Sequence, residues 1–207
     1  MLFIPTMLNL EGKKVVVVGG GNVAKRKIDS LLMSKAQLTV VSPSLTDELI
    51  SYYETGSIDW KQKNFAPADI DEAFLIIAAT NSESVNNAVI KAAPGDRLLN
   101  AASNVQNGNV SFPAYFTRGK LTIAISTAGA SPLFAKKVKQ ELSCQYNERY
   151  EQYLDFLFDV RHLLKKINLS SEEKNNYLHE VLSNTYLDSK KQKDMLHYLK
   201  HYRRHLK

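Results

Sequence analysis

The sequence predicts an α/β fold: a doubly wound parallel sheet, followed by a small β/α segment and a helical C-terminal part. Three observations carry this. Short apolar runs alternate with helix-like stretches through the first half, and those runs are apolar on both faces. The pattern then changes after Pro113. Strands buried on both sides belong to parallel sheets covered by helices, and right-handed crossovers then wind the sheet both ways.

The elements follow in order. Lys14–Val18 is a buried strand bounded by glycines, and residues 22–34 read as a helix with Val23, Ile28, Leu31 and Leu32 on one side. Leu38–Val41 is a second strand, ended by Ser42-Pro43, and a helix follows near residues 45–54. Ile58-Asp59-Trp60 is a short strand, Phe74–Ala79 a fully buried one, Ser84–Ala93 a helix and Arg97–Ala101 a fifth strand. Beyond Pro113, residues 121–127 alternate apolar and polar side chains, and Ala128-Gly129-Ala130 makes a turn. Ser131 and Pro132 suit the N-cap and first residue of a helix. A long charged helical stretch runs from Leu133 to about Ile167, broken near Cys144. Ser170 to Glu173 reads as another N-cap, and a last helix covers residues 189–205. The expected domains are 1–113, 114–145 and 146–207.

Composition narrows the function classes. The chain has 207 residues, 44% hydrophobic and 23% charged, which is ordinary globular usage. Its single cysteine excludes an internal disulfide and suits a reducing, cytoplasmic setting. The apolar start Met1–Leu8 is short and follows no Lys or Arg, so no secretory leader is expected. No apolar run reaches the roughly 18 residues of a membrane span, so no membrane partner is expected. Residues 1–113 hold 10 Lys+Arg against 11 Asp+Glu, whereas residues 114–207 hold 17 against 10. The basic second half suits an anionic partner or a solvated helical surface. No basic motif interleaved with aromatics points to nucleic acid. Tyr150, Tyr153, Leu154, Phe156, Leu157 and Phe158 make an apolar face that a thin helical half would not hide alone, which predicts a homodimer.

The chemistry-bearing motif is Gly19-x-Gly21-x-x-Ala24, after a strand and opening a helix. Gly19 permits the tight turn, Gly21 lets backbone approach a pyrophosphate, and Ala24 lets the helix pack closely on the strand. With Asn22 and Val23 the turn offers free N–H groups and a positive helix end to phosphate. This is a Rossmann-type dinucleotide site, with NAD as the expected cofactor. The usual ribose-binding acid is missing, because strand two ends in Ser42-Pro43-Ser44, which would contact the ribose instead. Thr80 and Asn81 close the fourth strand at the carboxyl edge, where ligands of open α/β sheets sit, and an alternative role for them is a helix cap. His197, His201 and His205 share one helix face, but nothing nearby completes a ligand set, so no metal is expected.

At these residues the sequence resembles the precorrin-2 dehydrogenases of siroheme synthesis. The matching segments are Met7–Leu10, Val16–Lys27 with its Arg26-Lys27, Ala78–Asn81, Val110–Ala114 and Ile123–Lys137, so the likeness covers roughly residues 7–142. The resemblance implies oxidation of precorrin-2, a tetrapyrrole with eight carboxylates, to sirohydrochlorin with NAD as hydride acceptor, in a homodimer with a dimerisation segment. It also places Ser126, Thr127 and Ser131 in a serine-rich loop that would meet substrate carboxylates. Family members commonly carry an Asn-Val-Val-Asp pattern after the fifth strand. Here Asn100-Ala101-Ala102-Ser103 stands there, followed by Asn104, so Ser103 and Asn104 are the candidate catalytic residues at the aspartate's position. Neutral side chains orient substrate but are weak bases, which predicts a dehydrogenase without efficient iron insertion. Some family members do both steps, and others are fused to a methyltransferase, for which no room is expected here. The alternatives are a bifunctional dehydrogenase and ferrochelatase, another NAD-dependent dehydrogenase with an acidic substrate, or a non-catalytic NAD-binding redox sensor.

Overall fold

The computed structural model describes residues 3–103 and 105–202. The chain forms two compact units, Met1–Phe112 and Pro113–Lys207.

In the first unit, five strands form one parallel sheet: β1 (Lys14–Val18), β2 (Gln37–Val41), β3 (Asp59–Lys61), β4 (Leu75–Ala78) and β5 (Leu98–Ala101). Their order is β3-β2-β1-β4-β5, so the chain reverses direction across the sheet between β1 and β4. Helices α1 (Asn22–Leu31), α2 (Asp47–Glu54) and α3 (Glu83–Ala92) make the crossovers.

Successive strand residues point to opposite faces, so an unbroken apolar run supplies two cores. Val15, Val17, Val40, Leu75 and Ile77 pack with Ala24 and Ile28 of α1 and Leu49 of α2. Val16, Val18, Val41, Ile76 and Ala78 pack with Val89 of α3. The predicted first helix is shorter than expected: α1 passes at Leu31 into a 3₁₀ turn, Leu32–Ser34, and Lys35 in the left-handed region ends it.

The second unit begins with a hairpin, β6 (Ala114–Arg118) paired antiparallel to β7 (Leu121–Ile125). Gly119, with φ of 53°, supplies the positive dihedral that a two-residue hairpin turn needs. Then come α4 (Pro132–Gln145), α5 (Arg149–Lys166), α6 (Ser171–Glu180) and α7 (Ser189–His201). Ser131 caps α4 by accepting from Phe134 N–H at 3.1 Å, and Ser170 with Glu173 forms a capping box on α6. Tyr146–Glu148 separate α4 from α5, which is the break expected near Cys144.

One premise is corrected here. The helical half does hide most of the apolar face of α5. Tyr153, Phe156, Val160 and Leu164 are buried with Ile167, Val181 of the α6 end and Leu199 of α7. Tyr153 donates its hydroxyl to the Val181 carbonyl at 2.7 Å, and Phe156 stacks on Tyr186 with ring centroids 5.6 Å apart. Three helices returning on one another supply the surface that a single amphipathic helix lacks. Only Phe158 of the predicted patch is exposed.

Among the described residues no helix is long and apolar enough to cross a membrane. Nor does any group of three or more His, Cys, Asp or Glu side chains there form a metal site. His201 and His197 are tied to each other instead, with the His201 Nδ1 2.8 Å from the His197 carbonyl. His205 lies outside the described residues.

Candidate functional site at the carboxyl edge of the sheet

Val18 ends β1 at the point where the strand order reverses, and the chain turns through Gly19-Gly20-Gly21 into α1. Gly19 has φ of 125°, and a Cβ there would lie 2.4 Å from the Ala79 carbonyl oxygen at the end of β4. A Cβ on Gly20 would lie 2.0 Å from the Ser44 carbonyl oxygen and 2.9 Å from the Ser42 Oγ. The turn is therefore clamped between the ends of β2 and β4, and Thr46 N–H donates to the Gly20 carbonyl at 2.9 Å. Gly21 differs, because nothing lies within 4 Å of where its Cβ would be. Two glycines give close packing; the third gives open space over the start of the helix.

That start is electrostatically suited to an anion. Gly21 caps α1 without a side chain, and the first turn has no acid. Every other α-helix of the described chain has a side-chain cap or an acid in its first turn. The N–H groups of Asn22, Val23 and Ala24 come before any intrahelical acceptor, and they present the positive helix end to the opening above Gly21. These features fit the pyrophosphate of a dinucleotide.

The other predicted cofactor residues surround this turn. Ser42 is buried, with its carbonyl accepting from the Trp60 indole N–H at 2.9 Å, while Pro43 and Ser44 are exposed beyond it. Thr80 is engaged with α3. Its N–H donates to the Asn86 Oδ1 at 3.0 Å, and its hydroxyl lies 2.9 Å from both that atom and the Ser82 carbonyl. Ser82 is the cap of α3, accepting from Val85 N–H. Asn86 is thus the buried post that holds the Thr80 turn, and Asn81 is left exposed beside it.

Ser103 is exposed two residues beyond β5, on the same carboxyl edge, and Asn104 lies outside the described residues. Ser126, Thr127 and Ser131 lie together in the second unit, in the turn between β7 and α4. There the Ser126 Oγ accepts from Ala128 N–H and the Thr127 Oγ1 from Ser131 N–H, both at 3.2 Å. Each of these hydroxyls spends an acceptor site on the backbone and keeps its proton for an outside acceptor.

Three family models match the chain: an NAD(P)-binding domain over residues 6–114, the central domain of sirohaem biosynthesis proteins over 118–143, and the SirC C-terminal domain over 150–195. The chain is 39% identical to the precorrin-2 dehydrogenase of Priestia megaterium over 198 residues, 95% of this chain and 98% of that protein. It is 32% identical to the precorrin-2 dehydrogenase of Bacillus subtilis (strain 168), over 76% of this chain and 98% of that one. The chain belongs to the precorrin-2 dehydrogenase family. A solved structure of SirC, precorrin-2 dehydrogenase, superposes with a TM-score of 0.84 at 38% identity, covering 96% of this chain and 99% of that one. Siroheme synthase 1 of Yersinia enterocolitica is 40% identical over 69% of this chain, which spans only 30% of that longer protein.

Within this family framework, the structure gives surroundings to two residues that the sequence placed only inside motifs, without a role. Asn100 is buried in β5, donates its Nδ2 to the Val110 carbonyl at 2.8 Å and leaves its buried Oδ1 unpartnered. An amide inside Leu98-Leu99-Asn100-Ala101 is a polar residue in an apolar strand, and that was its signal in the sequence. Lys27 of α1 is the second. It is half-buried, with its Nζ 4.6 Å from the Phe112 ring centroid. From Arg97 to Phe112, where the first unit ends, there is no Asp or Glu, so the segment following α3 brings no negative charge to this edge.

Proposed function

We propose that this chain oxidises precorrin-2 to sirohydrochlorin with NAD, and that it inserts iron inefficiently. The observation that carries the proposal is the uncapped, acid-free start of α1 beneath the open Gly21, placed where the strand order reverses. Bound NAD supplies the hydride-accepting chemistry. The protein's own residues do the positioning. The N–H groups of residues 22–24 neutralise the pyrophosphate, and Gly19 and Gly20 hold the turn against β4 and β2. Ser42 and Ser44 lie where the ribose is expected, and the Thr80–Asn86 pair fixes the neighbouring edge. Ser103 orients substrate without titrating near neutral pH. The hydroxyls of Ser126, Thr127 and Ser131 donate to substrate carboxylates.

Removing a hydride from precorrin-2 also releases a proton. With no carboxylate between Arg97 and Phe112, that proton goes to solvent rather than to a side chain of the segment around Ser103. Metal insertion displaces two pyrrolic protons and depends more heavily on a positioned base. A two-stage anaerobic assay separates the activities: precorrin-2 and NAD first, then ferrous iron. Sirohydrochlorin is expected to accumulate in the first stage and to take up iron only slowly in the second. Ser103→Asp is expected to accelerate the second stage by about a hundredfold, the lower end of what a positioned base contributes. Rapid iron uptake by the unmodified protein would overturn the restriction to dehydrogenation.

The protein is further proposed to act in the cytoplasm as a homodimer, with residues 114–145 as the dimerisation segment and the helices after it as a third domain. Leu133 and Phe134, 81% and 57% exposed at the start of α4, support this, as does the two-stranded sheet, which is too small to stand well alone. Light scattering at micromolar concentration should return twice the 23.3 kDa chain mass; a single-chain mass would contradict it.

A further inference from the structure

Helix α1 carries three successive cations, Lys25, Arg26 and Lys27, and they are treated differently. Lys25 is paired: its Nζ donates to Asp29 Oδ2 at 2.9 Å, and the Tyr52 hydroxyl holds the other oxygen of Asp29 at 3.0 Å. Arg26 is exposed. Lys27 is half-buried and, among the described residues, has no carboxylate within ion-pair distance. Its one side-chain contact of note is the Phe112 ring. Burial, together with the adjacent Arg26 charge, pushes its ammonium below the ordinary lysine value, and no acid opposes that shift.

A desolvated cation without a counterion is costly, and proteins retain such groups where an anion arrives. Its position says which edge that anion approaches. Lys27 lies five residues into α1, about 7.5 Å along the axis at 1.5 Å per residue. Helical side chains lean toward the N-terminus, so the long lysine stem carries its Nζ back toward the first turn. The ring beneath it belongs to the segment that covers β5: Val110, two residues earlier, receives the Asn100 amide. Lys27 therefore stands on the β5 side of the glycine turn, whereas Lys25 faces α2 through Asp29 and Tyr52.

We propose that Lys27 is a substrate anchor, its ammonium receiving one carboxylate of the tetrapyrrole beside the cofactor turn. The proposal rests on the dehydrogenase function argued above. The pyrophosphate already has the N–H groups of residues 22–24, and the segment from Arg97 to Phe112 offers Lys27 no competing acid. A polycarboxylate is the ligand chemistry that matches a lone cation outside the phosphate cradle.

The test uses the full-length protein as Lys27→Met, which keeps an apolar stem over Phe112, and as Lys27→Arg, which keeps the charge. Steady-state KM for precorrin-2 and for NAD is measured, together with Kd for sirohydrochlorin from its fluorescence, without turnover, and Tm. Lys27→Met should raise the precorrin-2 KM and the sirohydrochlorin Kd about tenfold or more, the lower end for losing a hydrogen bond to a charged group. The NAD KM should stay within twofold and Tm should not fall, while Lys27→Arg should recover most of the substrate affinity. Unchanged KM for precorrin-2 with normal turnover would overturn the anchor and leave the dehydrogenase intact. Weakened NAD instead would also overturn it, by assigning the cation to the cofactor. Absence of any precorrin-2 turnover by the unmodified protein would remove the dehydrogenase and the anchor with it.

Discussion

Gly21→Asp is expected to fold normally and to lose NAD. Gly21 has φ of −95° and ψ of −171°, an extended conformation open to any residue, and a Cβ there meets nothing within 4 Å. Aspartate is among the best N-cap residues, and relative to glycine it gains a few tenths of a kcal/mol at a cap. Its charge adds about 0.3–1 kcal/mol against the helix dipole. Thermal stability should therefore hold or rise. The same carboxylate would accept the N–H groups that the pyrophosphate needs and would set a negative charge against it. Two or more charge-assisted hydrogen bonds at roughly 1.5–3 kcal/mol each would be lost, so affinity should fall by about a hundredfold or more. Calorimetric titration of NAD alongside a melting curve checks both halves. A destabilised variant, or one that binds NAD unchanged, would contradict the cradle.

Gly19→Ala should fail in the opposite way, in the fold rather than in binding. At φ of 125° a residue with a Cβ is strained, and that Cβ would lie 2.4 Å from the Ala79 carbonyl oxygen. The obstacle is backbone at the end of a central strand, so it cannot swing aside. Strain of about 1–3 kcal/mol and overpacking of a similar size together approach the whole stability of a marginal domain, roughly 5–15 kcal/mol. The urea midpoint of unfolding should drop sharply, or the protein should not accumulate. An unchanged midpoint would show that the turn is not clamped against the end of β4.

These two glycines also mark what the sequence made legible. Strand–turn–helix context identified the motif because a parallel strand is apolar on both faces and the glycines sit at its end. Strands β2, β4 and β5 were readable by the same apolar runs, whereas β3, Asp-Trp-Lys, is exposed at both ends and has only Ile58 and Trp60 to announce it. Strand β6 was not readable. Its residues, Ala-Tyr-Phe-Thr-Arg, bury only Phe116, so no period announces it, and it exists because β7 pairs with it across Gly119. The helical half was misjudged in a different respect. Each helix was visible, but their mutual packing, which buries Tyr153 and Phe156, is a tertiary property that no single periodicity contains.

The site was legible where backbone does the work and less so where side chains do. Thr80 was identified, yet its partner Asn86 was not, since that link spans a turn and a helix. Lys27 was noted as part of a motif, but only the structure separates it from Lys25 by giving one an acid and the other an aromatic ring. Ser103 stands at the predicted edge, where its neutrality is the feature with a chemical consequence.

The most direct measurement is the stoichiometry of an anaerobic, metal-free reaction of the purified protein with precorrin-2 and NAD. Absorbance of NADH and of sirohydrochlorin would be followed together. One NADH formed per sirohydrochlorin, at a rate abolished in Gly21→Asp, is the predicted result. NAD binding without formation of either product would contradict the dehydrogenase account and turn attention to an NAD-responsive protein that does no chemistry of its own.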